Sequence, residues 1–207
     1  MRHVLFAALS ALLISPVALA LDPPRWALVV HGGAGVIERG AMTPETDAAY
    51  RAAMARALAT GEGVLEAGGT AIEAVEAIIR QFEDDAMFNS GRGAVFTAAG
   101  RNELDSSIMD GRDLNAGAVA GVTSVRHPIS LARAVMEHSP HVMLQGEGAE
   151  TFAAEQGLEI VAPAFFFTER RWASLERELG RLGLPTPLGP AGAPGPGAVV
   201  ASALGGG

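Results

Sequence analysis

Glycine and alanine fill much of the candidate β-structure of this chain, and this limits how its layers can stack. Short strand-like segments at 94–97, 103–109 and 116–123 follow one another with brief connections, and the last is almost entirely Gly, Ala and Val. A strand with small side chains lets a neighbouring backbone approach closely. We therefore expect sequential strands with other layers packed tightly against them.

Two helices are predicted before these strands. Thr43 is a suitable N-cap and is followed by Pro44, a residue favoured at the first helical position. After a glycine break at 68–69, Thr70 and Glu73 have the spacing of a capping box, so a second helix begins there. The apolar residues at helical spacing are Tyr50, Met54, Leu58 and Leu65 in the first helix, and Ile72, Val75, Ile79 and Phe82 in the second.

The remaining segments complete an α+β pattern. A short apolar run at 26–30 is predicted to be a buried strand. Further helices are predicted at 128–139, 148–156 and 168–182, with a short strand at 141–144. Helices and strands occur in blocks, which favours a layered α+β architecture over strict βαβ alternation.

Charge and cysteine content exclude several kinds of partner. The formal net charge is −8, Lys is absent, and the Arg residues form no cluster along the sequence. Neither a nucleic acid nor an anionic membrane surface is therefore expected as a partner. The chain also has no Cys, so it needs no disulfide and has no thiol for lipid attachment.

The N-terminal residues differ from the rest of the chain. Residues 1–20 combine a basic start, an apolar run and small residues at Ala18 and Ala20, the pattern of a secretory signal peptide cleaved before Leu21. The apolar run is short and Pro16 interrupts it, which argues against a membrane anchor. We expect the protein to be secreted or periplasmic.

The C-terminal residues 184–207 are rich in Pro, Gly and Ala and have no periodic apolar face. Such a segment has too little side chain to bury, so it is predicted to be a disordered tail. The folded domain is therefore expected to occupy residues 21–183.

Two glycine loops are the strongest candidates for a functional site. The turn 31–35 follows the first predicted strand. It could cradle a phosphate, but a helix should then begin at once, and residues 36–42 intervene. It could equally be a structural turn, or a loop whose backbone approaches a catalytic group in a way that only Gly permits.

The second loop, 88–93, contains Asn89. An Asn in a turn often binds its own backbone, but its amide could instead be presented to a nucleophile or a developing oxyanion. Just before it, Glu83, Asp84 and Asp85 could chelate a hard cation or could be solvated at a helix end. The His residues lack metal-binding spacing and no Gly-x-Ser-x-Gly motif occurs. The residues alone name no pair of nucleophile and base.

Several motifs follow one another in a fixed order between residues 26 and 180. They are His31-Gly32-Gly33-Ala34-Gly35, Phe88-Asn89-Ser90-Gly91-Arg92-Gly93, Glu103-Leu104-Asp105-Ser106-Ser107-Ile108-Met109-Asp110-Gly111, Ala116-Gly117-Ala118-Val119-Ala120-Gly121-Val122, Ser139-Pro140-His141-Val142-Met143-Leu144 and Gly146-Glu147-Gly148-Ala149-Glu150. Together they resemble the α-subunit region of the plant-type asparaginases and isoaspartyl peptidases.

This resemblance implies a fold and a reaction. Members of the family fold as an αββα sandwich of the N-terminal nucleophile hydrolase type. This chain would supply only the α-subunit half, so its sandwich would be incomplete. A precursor cleaves itself before a threonine in a Gly-Thr-Val-Gly segment, and the freed Thr is both nucleophile and, through its α-amine, base. The substrates implied are free asparagine and dipeptides with an isoaspartyl N-terminus.

The resemblance also implies roles for individual residues. Gly33 would belong to the glycine loop beside the nucleophile, and Asn89 would hold the threonine or its surroundings. The loop 82–92 resembles the sodium loop of the family, in which backbone carbonyls bind a structural Na⁺, the one cofactor that is implied. The corresponding carbonyls are those of Phe82, Glu83, Asp85, Phe88, Ser90 and Arg92.

The chain departs from the family pattern at the nucleophile. None of its nine Thr residues lies in Gly-Thr-Val-Gly, and the last, Thr186, stands between two prolines. The resemblance therefore implies a partner β-subunit that carries the catalytic Thr, homo-oligomers of αβ units, and no amidase activity for this chain alone. Two alternatives stay open. One is a non-catalytic remnant or binding module with the same fold, and the other is a glycosylasparaginase-like amidase.

Overall fold

The computed structural model describes residues 26–33 and 42–193. The predicted signal peptide and residues 194–207 of the predicted tail lie outside the described residues. The elements of the described part are, in chain order, α1 (Pro44–Glu66), α2 (Ala71–Asp84), β1 (Leu104–Met109), β2 (Ala116–Val122), α3 (Pro128–His138), β3 (Met143–Gln145), α4 (Gly146–Glu155) and α5 (Glu169–Leu182), with a 3₁₀ turn at Pro163–Phe166.

The first two helices begin where the sequence predicts. At α1, the backbone N–H of Thr46 donates to Oγ1 of the N-cap Thr43 at 3.2 Å. At α2 the capping box is complete, because Glu73 N–H donates to Thr70 Oγ1 at 3.2 Å and Thr70 N–H donates to Glu73 Oε2 at 2.7 Å. These bonds satisfy amides that a helix start leaves without a partner.

The contact between α1 and α2 differs from the prediction, because small residues form it. The buried residues of α1 are Ala53, Ala57 and Gly61. Leu58 and Val75, both predicted to face the core, are each 39% exposed. A Cβ placed on Gly61 would lie 2.4 Å from Cδ1 of Ile78. The helices therefore approach too closely for a ridge of large apolar side chains on α1.

The three strands form one sheet in the order β1-β2-β3. β1 is antiparallel to β2, with a register irregularity between Leu104 and Ser106. β2 is parallel to β3 and is connected to it through α3. The predicted strands at 103–109 and 116–123 are confirmed, and the strand predicted at 141–144 is found slightly later, at β3. The α+β class is thus confirmed.

Gly117 confirms that the layers pack closely against the small-residue strand. A Cβ placed on Gly117 would lie 2.1 Å from the carbonyl oxygen of Ala132 and 2.5 Å from the backbone nitrogen of Met136. The backbone of α3 therefore lies directly on β2, where no other residue would fit. Val119 and Leu131 are fully or almost fully buried in the core that this contact encloses.

Two predicted strands are wrong. The segments 26–30 and 94–97 belong to no strand, and Val29, which was expected to be buried, is 91% exposed. A strand needs a hydrogen-bonded neighbour, and no described segment pairs with 26–30. In 94–97, the Asn102 side chain takes the place of a neighbouring strand, because it donates to the carbonyls of Ala94 and Val95 at 3.0 and 3.1 Å.

The described part of the tail has no regular structure. Residues 184–193 contain neither helix nor strand, and Leu188 is 94% exposed. Gly189 nevertheless lies beside the indole of Trp172, since a Cβ placed there would be 3.7 Å from that ring. Disorder of the complete tail stays a prediction. None of the described helices is long and apolar enough to cross a membrane.

Candidate functional site

The two glycine loops lie side by side, although they are far apart in the sequence. Gly33 has a φ of +109°, a conformation that strongly favours glycine. A Cβ placed on Gly33 would lie 3.7 Å from Oδ1 of Asn89. The Gly33 N–H donates to Nδ1 of His31 at 3.2 Å, which stabilises the turn. The structure thus brings together the two residues predicted to support catalysis.

Both loops pack against a cluster of apolar and aromatic side chains from α1 and α2. A Cβ placed on Gly32 would lie 2.9 Å from Sδ of Met54 and 3.3 Å from Cε1 of Phe88. The Phe88 ring is buried and lies 4.3 Å from the ring centre of Phe82. The Tyr50 hydroxyl donates to the carbonyl of Met87 at 3.2 Å. Helices α1 and α2 therefore hold both loops to one core.

Asn89 presents a free amide beside Gly33. Its side chain is exposed and makes no hydrogen bond with the described part of the chain. The interpretation of Asn89 as a residue that only binds its own backbone therefore has no support in the described structure. An amide of this kind offers two donor hydrogens and one acceptor oxygen. It can orient a hydroxyl or donate to an oxyanion that approaches the glycine loop.

Residues 86–93, which contain Asn89, fold back onto the end of α2, and two glycines make this possible. A Cβ on Gly91 would lie 2.1 Å from the carbonyl oxygen of Glu83, and one on Gly93 would lie 1.8 Å from that of Phe88. The Arg92 N–H donates to the Glu83 carbonyl at 2.8 Å. Only glycine permits such contacts between backbones.

Of the six carbonyls predicted to bind sodium, those of Phe82 and Glu83 belong to the last turn of α2, and the other four follow that helix. Carbonyl oxygens are hard ligands that suit such a cation. Those of Glu83 and Asp85 already accept backbone hydrogen bonds, from Arg92 and Phe88, which leaves each one lone pair for a further ligand. A Cβ on Gly91 would meet only the Glu83 carbonyl among these six, and one on Gly93 would meet that of Phe88. In the described residues, no group of three acidic or His side chains could hold a metal ion.

Glu83 is neither a solvated residue nor a chelating one. Its residue exposure is 1%, and its carboxylate accepts a bond from the Ile129 N–H at 2.9 Å and lies 3.2 Å from Nδ1 of His127. Burial raises the pKa of the Glu83 carboxyl, and the hydrogen bonds from His127 and Ile129 oppose that change. Glu83 therefore links the end of α2 to the start of α3.

The two following acids have separate partners. Asp84 accepts a bond from Nε of Arg126 at 3.0 Å, and Asp85 accepts one from the Met87 N–H at 2.9 Å. Glu83 and Asp84 both approach His127, at 3.2 Å from Nδ1 and 3.7 Å from Nε2, whereas Asp85 binds within its own turn. Among the described residues, the three consecutive carboxylates do not form a metal site together.

Residues missed by the sequence interpretation hold the same loop from the side of α5. Nη2 of Arg170 donates to the Ala86 carbonyl at 2.8 Å, and Nε of Arg171 donates to the Gly93 carbonyl at 2.6 Å. One signal was present in the sequence. Two adjacent cations in the first turn of a helix are disfavoured by its macrodipole, and such a pair indicates a compensating contact.

Comparison with known proteins identifies the family. A model of the family described as asparaginase matches residues 24–183, which is most of the chain. The chain belongs to the asparaginase family. The resemblance inferred from the motifs is thereby confirmed, and the asparaginase family is of the N-terminal nucleophile hydrolase type.

Individual asparaginase-family relatives align with about seven tenths of the chain. The chain is 47% identical over 148 residues to the isoaspartyl peptidase of Escherichia coli, covering 72% of this chain and 46% of the relative. It is also 47% identical over 148 residues to the isoaspartyl peptidase of Salmonella typhimurium, covering 72% of this chain and 47% of the relative. The isoaspartyl peptidase/L-asparaginase of Homo sapiens is 42% identical over 151 residues, covering 73% and 48%. The chain spans about half the length of the curated relatives that it matches.

Proposed function

We propose that this chain is the α-subunit portion of an isoaspartyl peptidase/L-asparaginase. Together with a second half that carries the catalytic Thr, it would hydrolyse the side-chain amide of asparagine and the isoaspartyl bond of dipeptides. The observation that carries the proposal is the contact between the two loops, with a Cβ on Gly33 only 3.7 Å from Oδ1 of Asn89. The names of the aligned relatives support the choice of reaction.

The proposed role of this half is to position and to stabilise. Amide hydrolysis needs a nucleophile and a base within hydrogen-bond reach, and the family places both on the threonine of a Gly-Thr-Val-Gly segment that this sequence lacks. Asn89 would orient that threonine or donate to the oxyanion that forms on the attacked carbonyl. Gly33 would leave room for the nucleophile beside the amide, because any side chain there would point toward Asn89.

We also propose that the complete fold is an αββα sandwich to which the second half adds strands. Two observations support this. Met109, on the side of β1 opposite the buried Ile108, is 59% exposed, and in the described sheet β1 and β3 each have a strand on one side only. Homo-oligomers of such αβ units and export from the cytoplasm belong to the same proposal. So does a structural Na⁺ on the carbonyls of Phe82, Glu83, Asp85, Phe88, Ser90 and Arg92.

The test measures ammonia release from asparagine and cleavage of an isoaspartyl dipeptide. We expect no turnover by the chain alone, and turnover when a family β-subunit is supplied. Asn89→Ala should remove that turnover, while Gln156→Ala, at an exposed position after α4, should not change it. Turnover by the chain alone, above a heat-inactivated control, would contradict the proposal. Absence of turnover with the β-subunit would favour a non-catalytic binding module.

A further inference from the structure

We infer that Arg170 and Arg171 are positioning residues for Asn89. Both act on residues 86–93, named here the Asn89 loop. The inference rests on the proposed function, because it concerns the site in which Asn89 would act. The side chains of both arginines donate to the backbone of the loop, and each would act through that backbone.

The two arginines bind opposite ends of the Asn89 loop. At the start of the loop, Nη2 of Arg170 donates to the Ala86 carbonyl at 2.8 Å and approaches the Met87 carbonyl at 3.4 Å. At its end, Nε of Arg171 donates to the Gly93 carbonyl at 2.6 Å. Asn89 lies between these two attachments. Two neighbouring side chains on one helix thus set the distance between the ends of the loop.

This arrangement is electrostatically unfavourable without the loop. Arg170 and Arg171 carry like charges in the first turn of α5, where the helix dipole disfavours cations. No described carboxylate forms an ion pair with either of them. Burial, and then the charge of Arg170, lowers the pKa of Arg171, although an Arg stays protonated in a protein. The loop carbonyls are therefore the groups that compensate both charges.

Helix α5 is a firm support for this contact. Trp172, the next residue, is 8% exposed, and its ring lies 5.1 Å from that of Phe96 in an edge-to-face contact. Its indole N–H donates to Glu176 one turn later at 3.0 Å. The helix is thus packed through Trp172 while the two preceding arginines extend to the loop.

The position of the Asn89 side chain depends on how the backbone of the loop is attached. Because that side chain has no hydrogen bond to the described residues, its position follows from the backbone that carries it. On one side the backbone is held by the bond from Arg92 to the carbonyl of Glu83. On the other side it is held by Arg170 and Arg171. Loss of the second attachment would leave Asn89 on a loop that is anchored from α1, through Tyr50, and from α2, but no longer from α5.

The test uses the chain assembled with a family β-subunit, as above. Arg171→Met keeps an unbranched side chain as far as the position of Nε and removes the guanidinium with all its donors. We expect kcat to fall about tenfold or more with KM changed by less than about twofold, because a small misplacement of a catalytic group acts on the chemical step. Arg171→Lys should restore part of kcat, since it keeps one charged donor. Arg177→Met is the matched control, because Arg177 is exposed on the same helix and, within the described part of the chain, its side chain binds only Ser174.

A second measurement on the chain itself separates this inference from the proposed function. Amide hydrogen exchange in 86–93 should accelerate in Arg171→Met and in the milder Arg170→Gln, but not in Arg177→Met. Circular dichroism checks that each variant is folded. If the assembled wild type has no activity, the proposed function fails and hydrogen exchange alone decides the inference. Unchanged exchange in the loop of both variants, or a loss of kcat that Arg177→Met reproduces, would overturn it.

Discussion

At the scale of single residues, the surroundings of Asp110 and Glu83 change the pKa values of the two carboxyl groups in opposite directions. Asp110 accepts bonds from Nε and from the backbone N–H of Arg112. These bonds lower the pKa of Asp110 from its ordinary 3.8 to about 2. Glu83 is buried among α2 and α3, and burial raises its pKa. The Asp110 carboxylate accepts hydrogen bonds within its own turn, whereas the Glu83 carboxylate connects α2 with the start of α3.

Asp110 should give the protein a pH-dependent contribution to stability. Its folded-state pKa of about 2 lies below the ordinary 3.8. The contribution should therefore be complete above about pH 4 and should be lost as pH falls through about pH 2. The measurement compares the free energy of unfolding of the wild type and Asp110→Asn at about pH 5, 3 and 2. The difference between them should shrink toward acid, and a constant difference would contradict the prediction.

Glu83→Ala should destabilise the fold by about 3–5 kcal/mol, because it removes one partner of a buried pair and leaves His127 and the Ile129 N–H without their acceptor. Denaturant unfolding measures this. Glu62→Ala, at an exposed position of α1, is the control and should stay within about 0.5 kcal/mol of wild type. Equal effects of the two variants would show that the Glu83 contacts contribute little.

At the scale of elements, the closeness of α1 and α2 predicts opposite effects for two neighbouring glycines. Gly61→Ala should destabilise by about 1–3 kcal/mol, because its Cβ would lie 2.4 Å from Ile78 Cδ1 and 2.8 Å from Leu28 Cδ2. Gly63→Ala should stabilise by roughly 0.5–1 kcal/mol, since nothing lies within 4 Å of its Cβ and alanine favours the helix. Thermal and denaturant unfolding test both, and a common sign would contradict the prediction.

The limits of the helices could be predicted because their determinants are local. The caps at Thr43 and Thr70 and the break before α2 are all encoded within a few residues. The strand predicted at 26–30 failed because pairing depends on a distant segment, which local apolar character does not reveal. The prediction of the inward face of α1 was wrong for a related reason, because its small residues are buried only where α2 approaches them.

The candidate site could be predicted only in part. The resemblance implied Gly33 and Asn89, and the structure places them together. The burial of Glu83 and the contacts of Arg170 with the loop depend on helices far away in the sequence. No spacing rule joins Arg170 to Ala86, which precedes it by 84 residues.

At the scale of the whole molecule, large apolar side chains on the surface predict self-association of the isolated chain. The most exposed near the sheet and the glycine loop include Val29, Val95, Met109, Val142 and Met143. Within the described part, β1 and β3 each have a strand on one side only, and open edges pair readily with other chains. Light scattering should show a mass that rises with concentration.

Lysine substitutions test this surface. The pair Val29→Lys and Met143→Lys should lower the association. Met143 lies on the edge strand β3, where a charge opposes strand pairing, and Val29→Lys removes an apolar side chain that is 91% exposed. Leu188→Lys, in the tail at 94% exposure, should leave it unchanged. A monomer at every concentration, or an equal effect of Leu188→Lys, would show that this surface does not drive association.

Export makes a separate prediction for the intact polypeptide. A signal peptidase should cleave after Ala20, because small residues occupy the positions that the enzyme reads after an apolar run. N-terminal sequencing of protein from the periplasm or medium should then begin at Leu21. Recovery there of a chain that begins at Met1 would contradict the prediction.

The bond between Glu83 and the start of α3 has a consequence for the order of folding. His127, at the N-cap position of α3, makes no capping bond with its side chain, and the acceptor for Ile129 comes from 46 positions earlier. The intervening chain must close before this bond can form, which costs conformational entropy. The start of α3 should therefore become fixed late, after α2 has docked. Substitutions at Glu83 should then speed unfolding while leaving the folding rate nearly unchanged in stopped-flow measurements.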